Sequence, residues 1–414
     1  MLDLTKALRS KAKQEKPAAS GVAGCTLYYQ SNECKDMVKE LFRFEGWNEP
    51  ECVKVANGFF NQSRQQSGHI VLLELNESSS VIDDARAFAS TLPTHKGVVV
   101  IGKEDAISTL RALKEMGFYY VFWPVNKQEF ADFLTHVNKN LRTFSGVSQK
   151  RKAKRVAIVG SKGGVGTSVI SAELSSLLST QGTDTILVDH QYADTNVDVL
   201  LALDNFKPRA IDEFTAPLHE MDEEGALGFL FEVRKGFRLL SLQGEMSQSD
   251  ILNYSQTLCD LLTRNTNFII EDFSRSVSFD VENQLLVDNF DVVVLVFDPS
   301  VSSVRATKRI YDKISNLQLT LSTRTRIILV MNYHRPDNSF VLQTTEVKKY
   351  LGQEPDLKLG YCKSLSHIIL DGKRAHKHDR NISRSIMHLV KLINGQPIES
   401  GRLKNWLRSK GAMK

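Results

Sequence analysis

The stretch Val156–Leu178, VAIVGSKGGVGTSVISAELSSLL, decides the fold. Its apolar start, Val156–Val159, predicts a buried strand that leads into a glycine-rich turn, and a helix is predicted to begin at Thr167 or Ser168. A strand, a glycine-rich turn and a helix N-terminus in this order are typical of a phosphate-binding loop, because backbone N–H groups converge on the phosphates. Compared with the pattern G-x-x-x-x-G-K-[ST], the stretch has Thr167 where the lysine is expected.

Length and composition indicate a globular protein with more than one domain. The chain has 414 residues, 42% of them apolar and 24% charged, which is enough for two domains with ordinary cores. Its apolar runs are shorter than the roughly 20 residues of a membrane helix, and the first 20 residues lack the apolar core of a signal peptide. These features predict a cytoplasmic protein.

Cysteine content and net charge exclude several classes of site. The five cysteines are scattered and lack C-x-x-C spacing, which argues against a disulfide framework, a zinc site and a cysteine-held cluster. The net charge of +5 is modest for this length. By itself it indicates neither nucleic acid nor membrane binding.

The clearest internal boundary lies where the chain becomes polar and then strongly basic, around residues 144–155. Such a run indicates a solvated linker more often than a binding patch. We therefore predict a flexible N-terminal tail (1–20), a first domain (21–143), a basic linker (144–154), a second domain (155–395) and a basic C-terminal tail (396–414).

In the first domain, five short apolar runs alternate with amphipathic helical patterns. The runs cover residues 25–30, 52–55, 69–75, 97–102 and 119–123. This alternation predicts a doubly wound parallel sheet of the flavodoxin-like kind. The segments HIVLLEL, GVVVIGKEDA and ALKEMGFYYVFWPVNKQEF also resemble a response-regulator receiver domain.

The receiver pattern is degenerate at its reacting positions. The resemblance puts Glu74 at the phosphoacceptor aspartate, Gly102 at the hydroxyl and Trp123 at the lysine before Pro124, and the first strand ends without an acidic pair. Without a metal cage or a cation to balance the phosphoryl charge, the carboxylate is not readily phosphorylated. We interpret the domain as a pseudo-receiver that serves as a docking surface, with a purely structural cap as the alternative.

The second domain resembles the ParA and MinD ATPases over roughly residues 155–395. Five further apolar runs (184–190, 237–242, 267–274, 291–300 and 324–334) predict a second parallel sheet. Lys162 in KGGVG matches the extra lysine of the deviant loop in these ATPases, which reaches the nucleotide of the partner subunit. LVDHQYADTNVDVLL, FIIEDF, DVVVLVFDPSVSSVRATKRI and ILVMNYH match the later motifs in order. The resemblance implies a P-loop NTPase domain of the MinD/ParA type.

With a receiver-like domain in front, the whole chain resembles the TadZ and CpaE group, the MinD-like proteins of tight-adherence (Flp, type IVb) pilus assembly. In members of this group the loop often has the sequence KGGVGT, which fits Thr167. The resemblance implies ATP and Mg²⁺ as ligands, a homodimer, pilus and secretion proteins as partners, and a position at the cell pole or the inner face of the membrane. A chromosome- or plasmid-partitioning ATPase that binds DNA is the alternative, with Arg324, Arg326, Lys348 and Lys349 as candidate contacts, although we do not favour nucleic acid as a partner. The reductase ATPases require cluster cysteines that this sequence lacks.

The predicted nucleotide site combines backbone and side-chain groups. The predicted nucleotide-binding residues are Ser161, Lys162, Gly163, Gly164, Val165, Gly166, Thr167 and Ser168, joined by Asn332, to which the resemblance gives a contact with the base. The predicted Mg²⁺ residues are Ser168, Asp189 and Asp272, the aspartates acting partly through water.

Hydrolysis is predicted to be slow or absent. Thr167 removes the usual lysine charge, which leaves Lys162, supplied in trans, as the main catalytic cation. Gln191 stands where the family has its water-orienting aspartate, and a glutamine orients water without acting as a base. His190 is an alternative base, but its position between two strand-end residues predicts that it points the other way.

The basic C-terminal tail has two interpretations. Leu403, Trp406 and Leu407 at spacings of three and four, with basic neighbours, suit a helix lying in a membrane interface. A tail that docks on its own domain explains the same pattern.

Overall fold

The protein is described by a computed structural model, which covers residues 22, 24–55, 68–89, 92, 96–143, 152–193, 195–211, 220–274, 282–321 and 325–396. The chain divides into two compact units, residues 1–85 with 95–149 and residues 86–94 with 150–414. The predicted tail 1–20 and most of the predicted linker 144–154 and tail 396–414 lie outside the described residues, as does Arg324.

The first unit contains a five-stranded parallel sheet in the order β2-β1-β3-β4-β5. Its strands are β1 Cys25–Tyr29, β2 Glu51–Lys54, β3 Ile70–Glu74, β4 Gly97–Gly102 and β5 Tyr119–Phe122. Its helices are α1 Asn32–Phe44, α3 Ile107–Glu115 and α4 Lys127–Thr143, and it shares α2 Val81–Ala89 with the second unit, to which residues 86–89 belong. The order 2-1-3-4-5 is one of the two common orders of doubly wound sheets.

Strands β3 and β4 are buried at every residue, as expected of a parallel sheet covered on both faces. Helix α1 begins after Ser31, whose side chain accepts a hydrogen bond from the Cys34 N–H, and an N-cap serine satisfies one of the free donors of the first turn. Its buried face carries Cys34, Val38, Leu41 and Phe42, at helical spacings of three and four.

The second unit contains a nine-stranded sheet in the order β14-β13-β12-β6-β11-β7-β10-β8, with β9 antiparallel to β10. Its strands are β6 Lys154–Gly160, β7 Thr185–Asp189, β8 Arg209–Ala210, β9 Phe231–Arg234, β10 Phe237–Gln243, β11 Phe268–Phe273, β12 Val292–Phe297, β13 Arg326–Asn332 and β14 Leu357–Leu359. The pairings other than β9–β10 are parallel. The prediction of an α/β protein built on parallel sheets is confirmed.

The helices of the second unit are α5 Thr167–Thr180, α6 Val197–Leu201, α7 Glu223–Gly228, α8 Gln248–Leu262, α9 Asn283–Asn289, α10 Val301–Leu321, α11 Thr344–Leu351, α12 Leu365–Leu370, α13 Ala375–His378 and α14 Arg380–Ile393, with a 3₁₀ turn at Asp337–Ser339. Every helix that the structure describes is too short or too polar to span a lipid bilayer.

Three central strands position the functional site. Strand β6 lies between β12 and β11, and β11 lies between β6 and β7. The carboxyl ends of β6, β11 and β7 therefore meet at one edge of the sheet. In open parallel sheets, ligands bind at this edge, where the strand order reverses.

Candidate nucleotide-binding site

The glycine-rich loop has the backbone of a phosphate cradle. Strand β6 ends at Gly160, and helix α5 begins at Thr167 directly after Gly166. Gly164 and Gly166 have φ angles of 77° and 92°, in the left-handed region that favours glycine. A Cβ atom on Gly166 would lie 2.5 Å from the Asn332 amide nitrogen, so a larger residue would displace the Asn332 side chain.

Hydrogen bonds to residues of β12, β13 and the helix after β12 hold the loop in place. The Ser161 N–H donates to the Val296 carbonyl at 2.8 Å, and its hydroxyl lies 2.6 Å from the Ser303 hydroxyl. The Asn332 amide donates to the Val165 carbonyl at 2.8 Å. Asn332, predicted to contact the base, therefore braces the loop in this conformation.

Two buried carboxylates face the start of α5. Asp189 ends β7 and is paired across the sheet with Asp272 of β11. They line a cavity of about 230 Å³ together with Ser168, Gln191, Thr195 and Ser274. The predicted metal residues Ser168, Asp189 and Asp272 are thus brought to one place.

The electrostatics of this pair suit a bound cation. In the described part of the chain, the Asp272 Oδ1 atom is buried without a hydrogen-bond partner. Burial and the neighbouring Asp189 raise the pKa of Asp272 to about 7, and burial also raises the pKa of Asp189. An unpaired carboxylate oxygen beside a second carboxylate and a hydroxyl fits Mg²⁺, which prefers oxygen ligands. The residues present could hold Mg²⁺ through Ser168 and the two aspartates.

Lys162 is bound within its own chain. Its ammonium group lies 2.9 Å from the Ser300 hydroxyl and 3.1 Å from Asp298 Oδ2. His334 Nε2 lies 3.0 Å from the same carboxylate. Burial of Asp298 favours the neutral acid, but hydrogen bonds from Ser300, His334 and Lys162 outweigh it and lower its pKa to about 2. The Lys162 side chain stays 38% exposed, so solvent reaches the ammonium group.

Gln191 and His190 point in different directions, as alternation along the chain predicts. The Gln191 N–H donates to Asp189 Oδ1 at 3.0 Å. Its side-chain amide donates to the Ala193 carbonyl at 3.1 Å and accepts from the Ser274 hydroxyl at 3.4 Å. His190 is buried away from the cavity lining, with Nε2 2.9 Å from Glu271 and Nδ1 2.6 Å from the Tyr192 hydroxyl. Of these two residues, Gln191 lines the cavity and His190 does not.

A buried ionic network behind the site was missed by sequence reasoning. Glu271 accepts hydrogen bonds from Arg155 at 2.6 and 3.0 Å, from Gln256 at 2.7 Å and from His190. Burial raises the pKa of Glu271, but Arg155 and His190 outweigh burial and lower it to about 2. In the sequence, Arg155 is only the last residue of the basic run that ends the linker. The signal in the sequence was a glutamate next to Asp272, which strand alternation directs to the opposite face of the sheet.

In the first unit, the degenerate receiver positions fall at strand ends. The Glu74 carboxylate is buried and accepts hydrogen bonds from the Gln30 and Ser31 N–H groups at 2.8 and 3.0 Å, from the Ser31 hydroxyl at 2.5 Å and from the Asn76 amide at 2.8 Å. Gly102 ends β4, and its carbonyl accepts from the N–H of the buried Trp123. The structure thus brings Gly102 and Trp123 together, while the Glu74 oxygens are already occupied.

The parallel sheet, the glycine-rich loop at its reversal point and the carboxylate pair define a P-loop nucleotide-binding protein. Residues 156–373 match the CobQ/CobB/MinD/ParA nucleotide binding domain. The chain belongs to this family, as the resemblance to the ParA and MinD ATPases predicted.

Individual relatives are distant. An uncharacterised protein of Methanocaldococcus jannaschii is 22% identical over 179 residues, which span 39% of this chain and 66% of that protein, just under two thirds of its length. A ParA family ATPase from Chlorobium tepidum is 18% identical, with 57% of this chain and 96% of that chain covered and a TM-score of 0.47. The MinD cell division protein of Aquifex aeolicus is 20% identical, with coverages of 59% and 99% and a TM-score of 0.45. MinD of Pyrococcus horikoshii, solved with Mg-ADP, is 15% identical, with coverages of 58% and 96% and a TM-score of 0.44.

Proposed function

We propose that the protein binds Mg·ATP at this site and acts as a nucleotide-gated, dimeric scaffold with slow or absent hydrolysis. The observation that carries the proposal is the buried carboxylate pair, with its unpaired Asp272 oxygen, beside a complete backbone cradle for phosphates. These groups support Mg·ATP binding. Efficient turnover needs a cation on the transferring phosphoryl group and a group that orients water strongly.

At this site both the cation for the phosphoryl group and the water-orienting group are weaker than efficient hydrolysis requires. Thr167 replaces the loop lysine and is buried at the start of α5. Lys162 is therefore the cation that the loop itself provides, and it is paired with Asp298. To reach a phosphate, the Lys162 ammonium must exchange this carboxylate for another anion. ATP bound by a second subunit supplies such an anion, which makes dimerisation the step that completes the site.

The biological setting that we propose is tight-adherence (Flp, type IVb) pilus assembly, as in the TadZ and CpaE group. The first unit, taken as a pseudo-receiver over residues 21–143, acts there as a docking surface for pilus or secretion proteins. The saturated Glu74 carboxylate supports a role without phosphorylation, since four donors already satisfy its oxygens. A fluorescent fusion tests the setting: discrete polar foci are expected, and diffuse fluorescence in cells that assemble the pilus would contradict it.

The DNA-partitioning alternative has less support. Lys348 is paired with Glu354 at 3.0 Å, and Arg326 donates to the Ile393 carbonyl at 2.5 Å. These two candidate contacts are thus engaged within the chain. DNA binding that weakens steeply as salt rises would favour the alternative.

Nucleotide analysis of the purified protein tests the proposal directly. Retained ATP, or Mg²⁺-dependent ATP binding by calorimetry with little phosphate release, is the expected result. The double variant Thr167→Lys with Gln191→Asp should hydrolyse ATP faster than the natural protein, because it restores the charge and the water-orienting carboxylate. Absence of ATP binding, or rapid turnover by the natural protein, would overturn the proposal.

A further inference from the structure

The buried side chain of His190, directly after Asp189, lies against three consecutive residues of β11. Its Nε2 atom lies 2.9 Å from Glu271 Oε2, and its backbone N–H donates to the Asp272 carbonyl at 3.3 Å. The ring stacks on Phe273, with the ring centroids 4.2 Å apart and the planes 13° apart. Because side chains alternate across a strand, Glu271 and Phe273 lie on the face of the sheet opposite Asp272. His190 therefore holds β11 from behind at the residue that supplies one of the predicted Mg²⁺ carboxylates.

The residues that follow β7 are held by a second contact of the same ring. The His190 Nδ1 atom lies 2.6 Å from the Tyr192 hydroxyl, and the two rings meet edge to face with centroids 5.8 Å apart. This contact continues the alternation of β7, in which residues i and i+2 share one side of the chain. Asp189 and Gln191 accordingly lie on the other side, where both line the cavity.

The hydrogen bonds also assign the proton of the His190 ring. Glu271 accepts hydrogen bonds from Arg155 and Gln256, and an ionised carboxylate offers acceptor oxygens only. A neutral imidazole then carries its proton on Nε2, which donates to Glu271, while Nδ1 accepts from the Tyr192 hydroxyl. Both ring nitrogens are thus satisfied inside the protein, which gives the ring one preferred orientation.

We infer that His190 is a positioning residue of the nucleotide site, which holds Asp189, Asp272 and Gln191 in the geometry that binds Mg²⁺. The inference rests on the proposed function, because it assigns His190 a role in the same Mg·ATP site. Asp189 and Asp272 form the last pairing between β7 and β11, so the ladder ends where the carboxylates meet. The contacts of His190 continue the link between the two strands one residue beyond that point.

The expected effect of losing the ring is weaker Mg²⁺ binding with little change in the affinity for the nucleotide itself. Groups that orient metal ligands typically contribute 10–100-fold in metal affinity. We expect about 10-fold for His190, the low end of this range, because its backbone bond to Asp272 does not depend on the side chain. ATP binding without a divalent cation depends on the backbone cradle of residues 161–168, so it should be nearly unchanged.

The test compares ATP binding in Mg²⁺ with ATP binding in excess EDTA, measured by calorimetry on the full chain. The main variant is His190→Phe, which keeps an aromatic ring against Phe273 and removes both ring nitrogens. Tyr192→Phe is a milder variant that removes only the hydroxyl group. The matched control is Gln256→Met on helix α8, which removes another donor, at 2.7 Å, to the same Glu271 oxygen. Gln256 also accepts a hydrogen bond from the Arg155 side chain, so the control variant should lose at least as much stability.

Mg²⁺ should strengthen ATP binding by the natural protein and by Gln256→Met to the same extent. His190→Phe should lose about 10-fold of this gain, and Tyr192→Phe should lose a smaller part of it, which decides the question if His190→Phe does not fold. A full Mg²⁺ gain in His190→Phe and Tyr192→Phe, or an equal loss in Gln256→Met, would overturn the inference and leave the proposed function standing. Absence of ATP binding by the natural protein would overturn both.

Discussion

Replacing Asp272 with asparagine should stabilise the free protein while abolishing its response to Mg·ATP. Burial and Asp189 raise the pKa of Asp272 from 3.8 to about 7. Because the pKa of Asp272 is higher in the folded protein than in the unfolded chain, ionisation of this carboxyl group destabilises the folded state. The cost of its charge is therefore absent below about pH 4, grows as pH rises and is nearly complete above about pH 7. Asparagine carries no charge at any of these pH values.

The size of the effect follows from the pKa. A rise from 3.8 to about 7 corresponds to about 4 kcal/mol at 1.36 kcal/mol per pKa unit. We expect Asp272→Asn to gain about 4 kcal/mol at pH 8 and less than about 2 kcal/mol at pH 5, since most of the natural side chain is still protonated there. For a unit of this size, 4 kcal/mol raises the melting temperature by about 8 °C or more.

Thermal melting in the presence of a chelator, measured from pH 5 to pH 8, tests this reasoning. Addition of Mg²⁺ with ATP should raise the melting temperature of the natural protein and leave that of Asp272→Asn unchanged. Asp298→Asn is the matched control: the pKa of Asp298 is lowered to about 2, so neutralising it should destabilise the protein. An Asp272→Asn protein that melts like the natural protein at every pH, or that still responds to Mg·ATP, would refute the account of the carboxylate pair.

Two further predictions concern groups outside the nucleotide cavity. Intact-mass measurement after incubation with acetyl phosphate and Mg²⁺ should show no phosphoryl group on the first unit, because the oxygens of Glu74 already accept four hydrogen bonds; a Mg²⁺-dependent gain in mass would contradict the pseudo-receiver proposal. Glu271→Gln should lower the free energy of unfolding in urea at neutral pH by about 3–5 kcal/mol, because Arg155 loses its buried carboxylate partner and keeps only the largely exposed Asp260. Because the pKa of Glu271 is lowered to about 2, its contribution is present above about pH 4.5 and is lost as pH falls through about 2, so the two proteins should converge in acid. Equal stability at neutral pH would show that the network carries no net energy.

The long strands could be predicted from the sequence because each carries its own signal. Strand β12 is six consecutive apolar residues, Val292–Phe297, and all are buried. In contrast, β8, β9 and β14 have two to four residues, too few to show a period. They form because neighbouring strands offer hydrogen-bond partners, a property of the folded sheet and not of the local segment.

The sequence predicts those parts of the candidate site that depend on residues close together along the chain. The loop geometry, the direction of His190 and the placement of Asp189 and Asp272 at one sheet edge follow from strand–turn–helix patterns and alternation. The pairing of Lys162 with Asp298 joins groups 136 residues apart, and no spacing in the sequence encodes it. The Arg155–Glu271 pair has the same character, since 116 residues separate its members. Contacts of this kind appear only once the sheet order is known.

The central claim is that ATP gates a dimer in which Lys162 contacts the nucleotide of the other subunit. Sedimentation velocity of the natural protein and of Lys162→Ala, each with and without Mg·ATP, tests it most directly. Loss of a charged partner at a phosphate site costs about 2–5 kcal/mol, which weakens dimerisation by a factor of about 30 or more. The natural protein should therefore sediment as a dimer with Mg·ATP and as a monomer without it, while Lys162→Ala should bind ATP and remain monomeric. A Lys162→Ala protein that dimerises on ATP like the natural protein would contradict the claim.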